Sequence, residues 1–226
     1  IETDRGTGWR GGGVGGSDRG VESPAGNLVA DSHLWKSSVG GSQIALMNPG
    51  GLRTDLLFAS SGAGEGNGVV TYGEAFAFQP FGNTLVTMPM TGDQIVSVLE
   101  EQCQPLGSSR PFLHLGVSGG FTYDLFKRID AGNCVEVSVT NVRLNGVPLD
   151  LGATYRVTVN NFLADGGDNF ITFGTIDRSL RFIGGNDLEA LVEYFGEFSP
   201  LTPPPTDRVN ELSAPVACQP GFFSTT

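Results

Sequence analysis

Asn160-Asn161-Phe162-Leu163-Ala164-Asp165-Gly166-Gly167-Asp168-Asn169-Phe170 is the stretch on which the reading of this chain turns. It follows Tyr155-Arg156-Val157-Thr158-Val159, which reads as a buried strand, and then breaks into a polar, glycine-rich turn. Two adjacent glycines let the backbone take φ > 0 and pass close to a ligand. An aromatic ring stands on one side of the turn and a carboxylate on the other. Such a loop offers a flat apolar face together with a hydrogen-bond acceptor, which suits a base-like or sugar-like ligand.

Outward from this turn, helix and strand signals mix. Ser23-Pro24 starts a helix, serine as cap and proline in the first turn, that runs to about Ser38 with Leu28, Val29 and Leu34 on related faces. Ile44–Met47 and Leu85–Met88 read as short buried strands. Thr91 and Gln94 form a capping box opening a helix through about Cys103, with Ile95, Val98 and Leu99 facing the core. Strands are expected near 117–123, 135–143 and 154–160, with Asn145-Gly146 as a hairpin turn. Asn186 caps a last helix, Asp187 to about Phe198, whose Leu188, Leu191, Val192 and Phe195 form a core-facing stripe. Pro203-Pro204-Pro205 is expected to end the fold. Without strict strand–helix–strand alternation, the fold class is α+β.

Composition agrees with one compact domain. The chain has 226 residues, 39% hydrophobic and only 16% charged, with 34 glycines. A net charge of −11 argues against a polymeric nucleic acid as partner, since phosphate neutralisation needs a basic face. A single small nucleotide remains compatible, because a few converging arginines can bind one phosphate locally. No apolar run reaches the ~18–20 residues that span a bilayer, and Ile1 reads as a start at which no signal peptide remains. The start without methionine reads as a mature or excised piece of a longer precursor. Residues 1–18, with Gly11-Gly12-Gly13-Val14-Gly15-Gly16, read as a lead-in: no Lys-Ser/Thr follows to make a phosphate cradle. Residues 211–226 read as a loose tail, leaving a domain over 19–210.

The order of several short motifs resembles a known family. The central turn resembles the Asn-Phe-Leu-Ala-x-Gly-Gly-Asp-x-Phe element in the C-terminal domain of 5'-nucleotidases and related UDP-sugar hydrolases. Asn48-Pro49-Gly50-Gly51-Leu52-Arg53 is similar to that family's Asn-x-Gly-Gly-Ile/Leu-Arg element. Thr71–Phe76, Pro80-Phe81-Gly82-Asn83 and Met90–Ile95 follow in the family's order, as do Val117–Asp124 and Asn145–Leu149. Arg19-x-x-Glu22 leading into Gly26–Asp31 resembles the element where that domain begins. The resemblance implies layered mixed sheets covered by helices. It also implies a site in which Phe81 and Phe162 sandwich a base and Asp168 accepts hydrogen bonds from ribose hydroxyls. Arg19 and Arg53 match the arginines that reach a phosphate, Asn48 the polar contact near the base, and Asn83 shares the turn of Phe81. Pro49 departs from the pattern and removes one backbone donor. The Ser108-Ser109-Arg110-Pro111 loop is expected to border the pocket, yet it carries no legible base code.

Catalytic groups are what the sequence lacks. Phosphate-ester hydrolysis commonly uses metal ions to activate water and neutralise phosphoryl charge. The chain has two histidines, His33 and His114, far apart in sequence and with no Gly-Asn-His-Glu element around either. Both read as packed, hydrogen-bonded histidines. The resemblance places a divalent metal pair in a separate N-terminal metallophosphatase domain. The expectation is therefore a nucleotide- or nucleoside-binding part of a secreted or cell-surface hydrolase, inactive alone and holding no cofactor itself. The alternatives are a free-standing ligand-binding or surface interaction module, or the same domain serving UDP-sugars, cyclic nucleotides or dinucleotides. Cys103, Cys134 and Cys218 allow one disulfide or three thiols. The resemblance to exported enzymes favours oxidation, with Cys103–Cys134 as the expected pair and Cys218 left over.

Overall fold

Local capping chemistry starts the principal helices of the computed structural model, which describes residues 18–62 and 64–215. Ser23 Oγ accepts from the Gly26 amide at 3.0 Å, with Pro24 in the first turn, and opens α1 (Pro24–Lys36). Strand β1 (Ile44–Met47) is buried at every position. Thr71 and Glu74 form a reciprocal capping box that opens α2 (Tyr72–Phe78). Strand β2 (Thr84–Thr91) runs directly into α3 (Gly92–Glu100), opened by the Thr91/Gln94 box. Each such cap stabilises its helix by ~1 kcal/mol.

Five strands follow: β3 (Gly116–Val117), β4 (Phe121–Asp130), β5 (Asn133–Leu144), β6 (Val147–Pro148) and β7 (Thr154–Asn160). One-turn helices α4 (Asn161–Ala164) and α5 (Ile171–Gly174) flank the glycine turn. Then come β8 (Phe182–Asn186), α6 (Asp187–Phe198), capped by Asn186, and β9 (Val209–Glu211).

The strands make two mixed sheets, ordered β3-β1-β7-β2-β8 and β6-β5-β4-β9. In the first, β1 runs parallel to β7 while β2 runs antiparallel to it. The main core lies between the two sheets and α3, where Met88, Ile95, Leu99, Phe121, Tyr123 and Val157 are buried. A second core lies under α1, α2 and α6, around Leu28, Val29, Phe78 and Leu191. The arrangement is the α+β layering of mixed sheets and helices.

Several expectations need correction. The chain does not end its fold at Pro203-Pro204-Pro205: it returns as β9, parallel to β4. Glu22 holds this return, accepting from the Arg208 and Val209 amides at 3.2 and 3.4 Å. Arg208 adds an ion pair to Asp31 of α1 at 2.7 Å. β4 extends past Tyr123 because β5 pairs with it as far as Asp130↔Asn133. α3 stops at Glu100, short of Cys103. On α1 the buried face carries Ser32 and His33, with Leu34 only half-buried. His33 is packed as expected but not hydrogen-bonded, since neither ring nitrogen has a partner. Cys103 and Cys134 are bonded, their Cα atoms 5.4 Å apart. The lead-in up to residue 17 and Cys218 lie outside the described residues.

Candidate functional site

Topology brings the expected residues to one end of the five-stranded sheet. Parallel strands β1 and β7 are in register at Ile44↔Val157, so their C-terminal ends, Asn48 and Asn160, emerge side by side. Antiparallel β2 pairs Leu85 with Asn160, so the turn before it, with Phe81 and Asn83, arrives at the same edge. Arg19 is held beside them by its carbonyl, which accepts from the His114 amide at 2.7 Å. Here Arg19, Asn48, Gly50, Gly51, Arg53, Phe81, Asn83, Phe162 and Asp168 line a cavity of about 300 Å³. All seven residues expected from the sequence stand in that one cavity.

A relay of side-chain amides runs beneath it. Asn160 Oδ1 caps α4 through the Leu163 amide at 2.9 Å. Asn160 Nδ2 donates to Asn48 Oδ1 at 2.9 Å, and Asn48 Nδ2 donates to Asp168 Oδ2 at 2.9 Å. Asn48 is 3% exposed, so its amide is committed to aiming the Asp168 carboxylate. Pro49 is buried at the start of the short turn Pro49–Gly51, where its missing amide proton costs nothing. Gly50 is the floor. A Cβ there would lie 3.2 Å from Arg19 Nη1, 3.2 Å from Asp168 Oδ2 and 3.4 Å from Asn48 Nδ2, so the three groups converge over this residue.

The glycine pair divides its work. Gly166 has φ of +88°, a conformation that disfavours any side chain. Gly167 is needed for space: a Cβ would come within 2.5 Å of Phe162 Cζ and 2.6 Å of the Phe162 carbonyl. The Phe162 ring therefore lies on bare backbone and keeps the rest of its surface free, 44% exposed. Phe81 is 56% exposed on the opposite turn, with the Arg53 guanidinium 5.7 Å from its ring centroid. Phe78, Phe121, Phe170 and Phe173 are wholly buried, whereas Phe58, Phe76, Phe182 and Phe198 are exposed like the lip rings, so what distinguishes Phe81 and Phe162 is their shared place on this cavity. Arg53 also donates to the Gly50 carbonyl at 3.2 Å, and Asn83 donates to Asp187 Oδ2 at 3.2 Å.

Two guanidinium groups against one carboxylate give the cavity a local positive excess in an acidic chain. Aromatic lips, an aimed carboxylate and arginines can hold a flat ring, a pair of hydroxyls and an anion. The Ser109-Arg110-Pro111 loop lines a neighbouring cavity of about 410 Å³ that shares Arg19, and does not border this one. A larger cavity of about 810 Å³ lies away from these residues, between the 67–72 segment and α6.

Neither histidine can supply acid–base chemistry at neutral pH. Burial depresses His33 and His114 to about 3, and neither lines the cavity. His114 is fixed by Nδ1 against the Leu115 carbonyl at 2.9 Å. Among the described residues no group of three or more His, Cys, Asp or Glu side chains is placed to hold a metal ion. No helix of the described residues is long and apolar enough to cross a membrane.

Behind the turn stand residues that no sequence pattern singles out. Gln104 Nε2 donates to the Asp168 carbonyl at 3.1 Å, and Glu101 Oε1 accepts from the Thr172 amide and hydroxyl at 3.0 and 2.7 Å. These contacts span 64 and 71 residues of sequence, and no local signal announces them.

Fold and cavity together define an α+β domain with a small, aromatic-lipped cavity at one end of its mixed sheet. This chain belongs to the 5'-nucleotidase C-terminal domain family, whose pattern matches residues 10–175. It is 28% identical over 205 residues to the trifunctional nucleotide phosphoesterase protein YfkN of Bacillus subtilis, covering 90% of this chain and 13% of that protein. It is 32% identical over 154 residues to the cell wall protein Lmo0130 of Listeria monocytogenes, covering 67% of this chain and 18% of that one. The crystal structure of a 5'-nucleotidase precursor from Thermus thermophilus matches with a TM-score of 0.68 and 35% identity, covering 88% of this chain and 37% of that one. The chain thus spans well under half the length of each of these relatives.

Proposed function

We propose that this domain recognises the nucleoside portion of a nucleotide and presents its phosphate to a catalytic metal site carried on another domain. The observation that carries this reading is the single cavity in which Phe81, Phe162, Asp168, Asn48, Asn83, Arg19 and Arg53 meet. A base fits between the two exposed rings, each stack contributing roughly 1–3 kcal/mol. Asp168, held by Asn48, accepts from ribose hydroxyls, and the arginines meet the 5'-phosphate. The divalent metals that activate water are held elsewhere, so by itself this chain binds and does not cleave. The cell-wall name of one relative and the Cys103–Cys134 bond both support an exported protein.

Calorimetric titration of the purified chain with adenosine, AMP and inorganic phosphate tests this. Binding in the high-micromolar to millimolar range, on the order of −4 to −5 kcal/mol, is expected for adenosine and AMP. Phosphate binding as tightly as AMP refutes the base clamp. Release of phosphate from AMP by the chain with any divalent metal refutes the division of labour.

A further inference from the structure

We propose that Gln104, a residue outside the cavity, is a positioning residue that sets ribose recognition by fixing the turn bearing Asp168. This inference rests on the nucleotide-binding reading above. Asp168 and the following Asn169 both have left-handed backbone, with φ of 54° and 62°. Two consecutive non-glycine residues in this region are disfavoured by their Cβ atoms and persist only where the surroundings fix them.

Gln104 is 3% exposed, and its whole amide is spent on this task. Nε2 donates to the Asp168 carbonyl at 3.1 Å and to the Glu101 carbonyl at 3.0 Å. Oε1 accepts from Asn169 Nδ2 at 2.8 Å. Asp168 is thus gripped twice: its carboxylate by Asn48 inside the cavity, its carbonyl by Gln104 from behind. The platform under Gln104 is itself fastened. The Gln104 amide donates to the Pro111 carbonyl at 2.9 Å, and the adjacent Cys103 is tied to Cys134. Because Gln104 does not line the cavity, changing it reaches a ligand only through the turn.

The test measures adenosine and 2',3'-dideoxyadenosine binding to wild type, Gln104→Leu and Gln104→Met, with amide hydrogen exchange over residues 166–170. Gln104→Met keeps the length of the side chain but has no proton to give the Asp168 carbonyl. Both variants should lose the wild type's preference for adenosine by about tenfold, with dideoxyadenosine affinity within about twofold of wild type. Exchange at 166–170 should accelerate while the β5 amides stay protected. A retained preference in both variants overturns the proposal. So does an equal loss for both nucleosides, which marks a merely structural residue. Unchanged exchange at 166–170 overturns it whatever the ligands do. A wild type without any preference for adenosine refutes the ribose contact of the underlying reading. Faster exchange in the variants would then show Gln104 anchoring a turn with no ribose role, which also overturns the proposal.

Discussion

Substituting each glycine of the central turn by alanine separates backbone strain from ring placement. Gly167 lies outside the positive-φ region, so the cost of Gly167→Ala is steric. The new Cβ would sit 2.5 and 2.6 Å from two Phe162 ring carbons and 2.6 Å from the Phe162 carbonyl oxygen. The ring can swing away, but the carbonyl belongs to the first turn of α4 and can clear only by moving the backbone. Overpacking of this kind costs about 1–3 kcal/mol, or roughly 2–12 °C of melting temperature for a domain of this size. Gly166→Ala is the contrast. Its Cβ would meet nothing closer than 3.7 Å, but φ of +88° imposes about 1–2 kcal/mol of backbone strain. The two variants should therefore melt similarly below wild type yet bind differently. Gly167→Ala displaces a base-stacking ring and should weaken adenosine by about 1–3 kcal/mol, whereas Gly166→Ala should change it by less than about 0.5 kcal/mol. Differential scanning calorimetry beside isothermal titration with adenosine reads both quantities. If Gly166→Ala weakens adenosine as much as Gly167→Ala does, Phe162 is not placed by the bare backbone of residue 167. If Gly167→Ala melts with wild type, the close approach itself is wrong.

Phe162→Ala should weaken adenosine and AMP alike by roughly 1–3 kcal/mol, while Arg53→Ala should weaken AMP more than adenosine; equal losses in all four titrations refute separate base and phosphate roles. Non-reducing peptide mapping should recover Cys103 joined to Cys134, and reducing this 31-residue link should remove about 3–4 kcal/mol of stability in urea unfolding. For the histidines the folded value lies below the ordinary 6.5, so stability is full above that pH and is lost as pH falls towards about 3. Between pH 7 and 5, His33→Leu should therefore abolish about 2 kcal/mol of the pH-dependent loss seen in wild type; an unaltered pH profile contradicts the buried, neutral ring. Burial raises the carboxyls of Glu22, Glu100, Glu101 and Asp187, which work in the opposite direction and steepen no acid loss.

What is legible in the sequence follows the range of the interactions. Caps at Ser23, Thr91 and Asn186 close within three residues, so their residue types announce them. Thr71 and Glu74 carry the same signal and open α2, although in the sequence they stand out only as part of a family motif. The glycine turn is legible because backbone freedom and close approach both demand glycine. β9 is not, because three residues after a proline run pair with β4 from far along the chain, and Glu22 and Arg208 that hold them carry no period. β8 hides for a related reason: Phe182-Ile183-Gly184-Gly185-Asn186 looks like a loop until Val86 and Thr87 pair with it. The cavity's lining is readable residue by residue, whereas its supports, Gln104 and Glu101, come from a helix end distant in sequence. His33 departs from expectation because a helical position on α1 says nothing of what surrounds a ring once the helix is covered.

A crystal structure of the chain with AMP bound tests the central claim most directly. The purine should lie between Phe81 and Phe162, with the ribose hydroxyls at the Asp168 carboxylate and the phosphate at Arg19 and Arg53. A purine seated in the larger cavity beside Phe58 and Phe195, with the space between Phe81 and Phe162 empty, would contradict it.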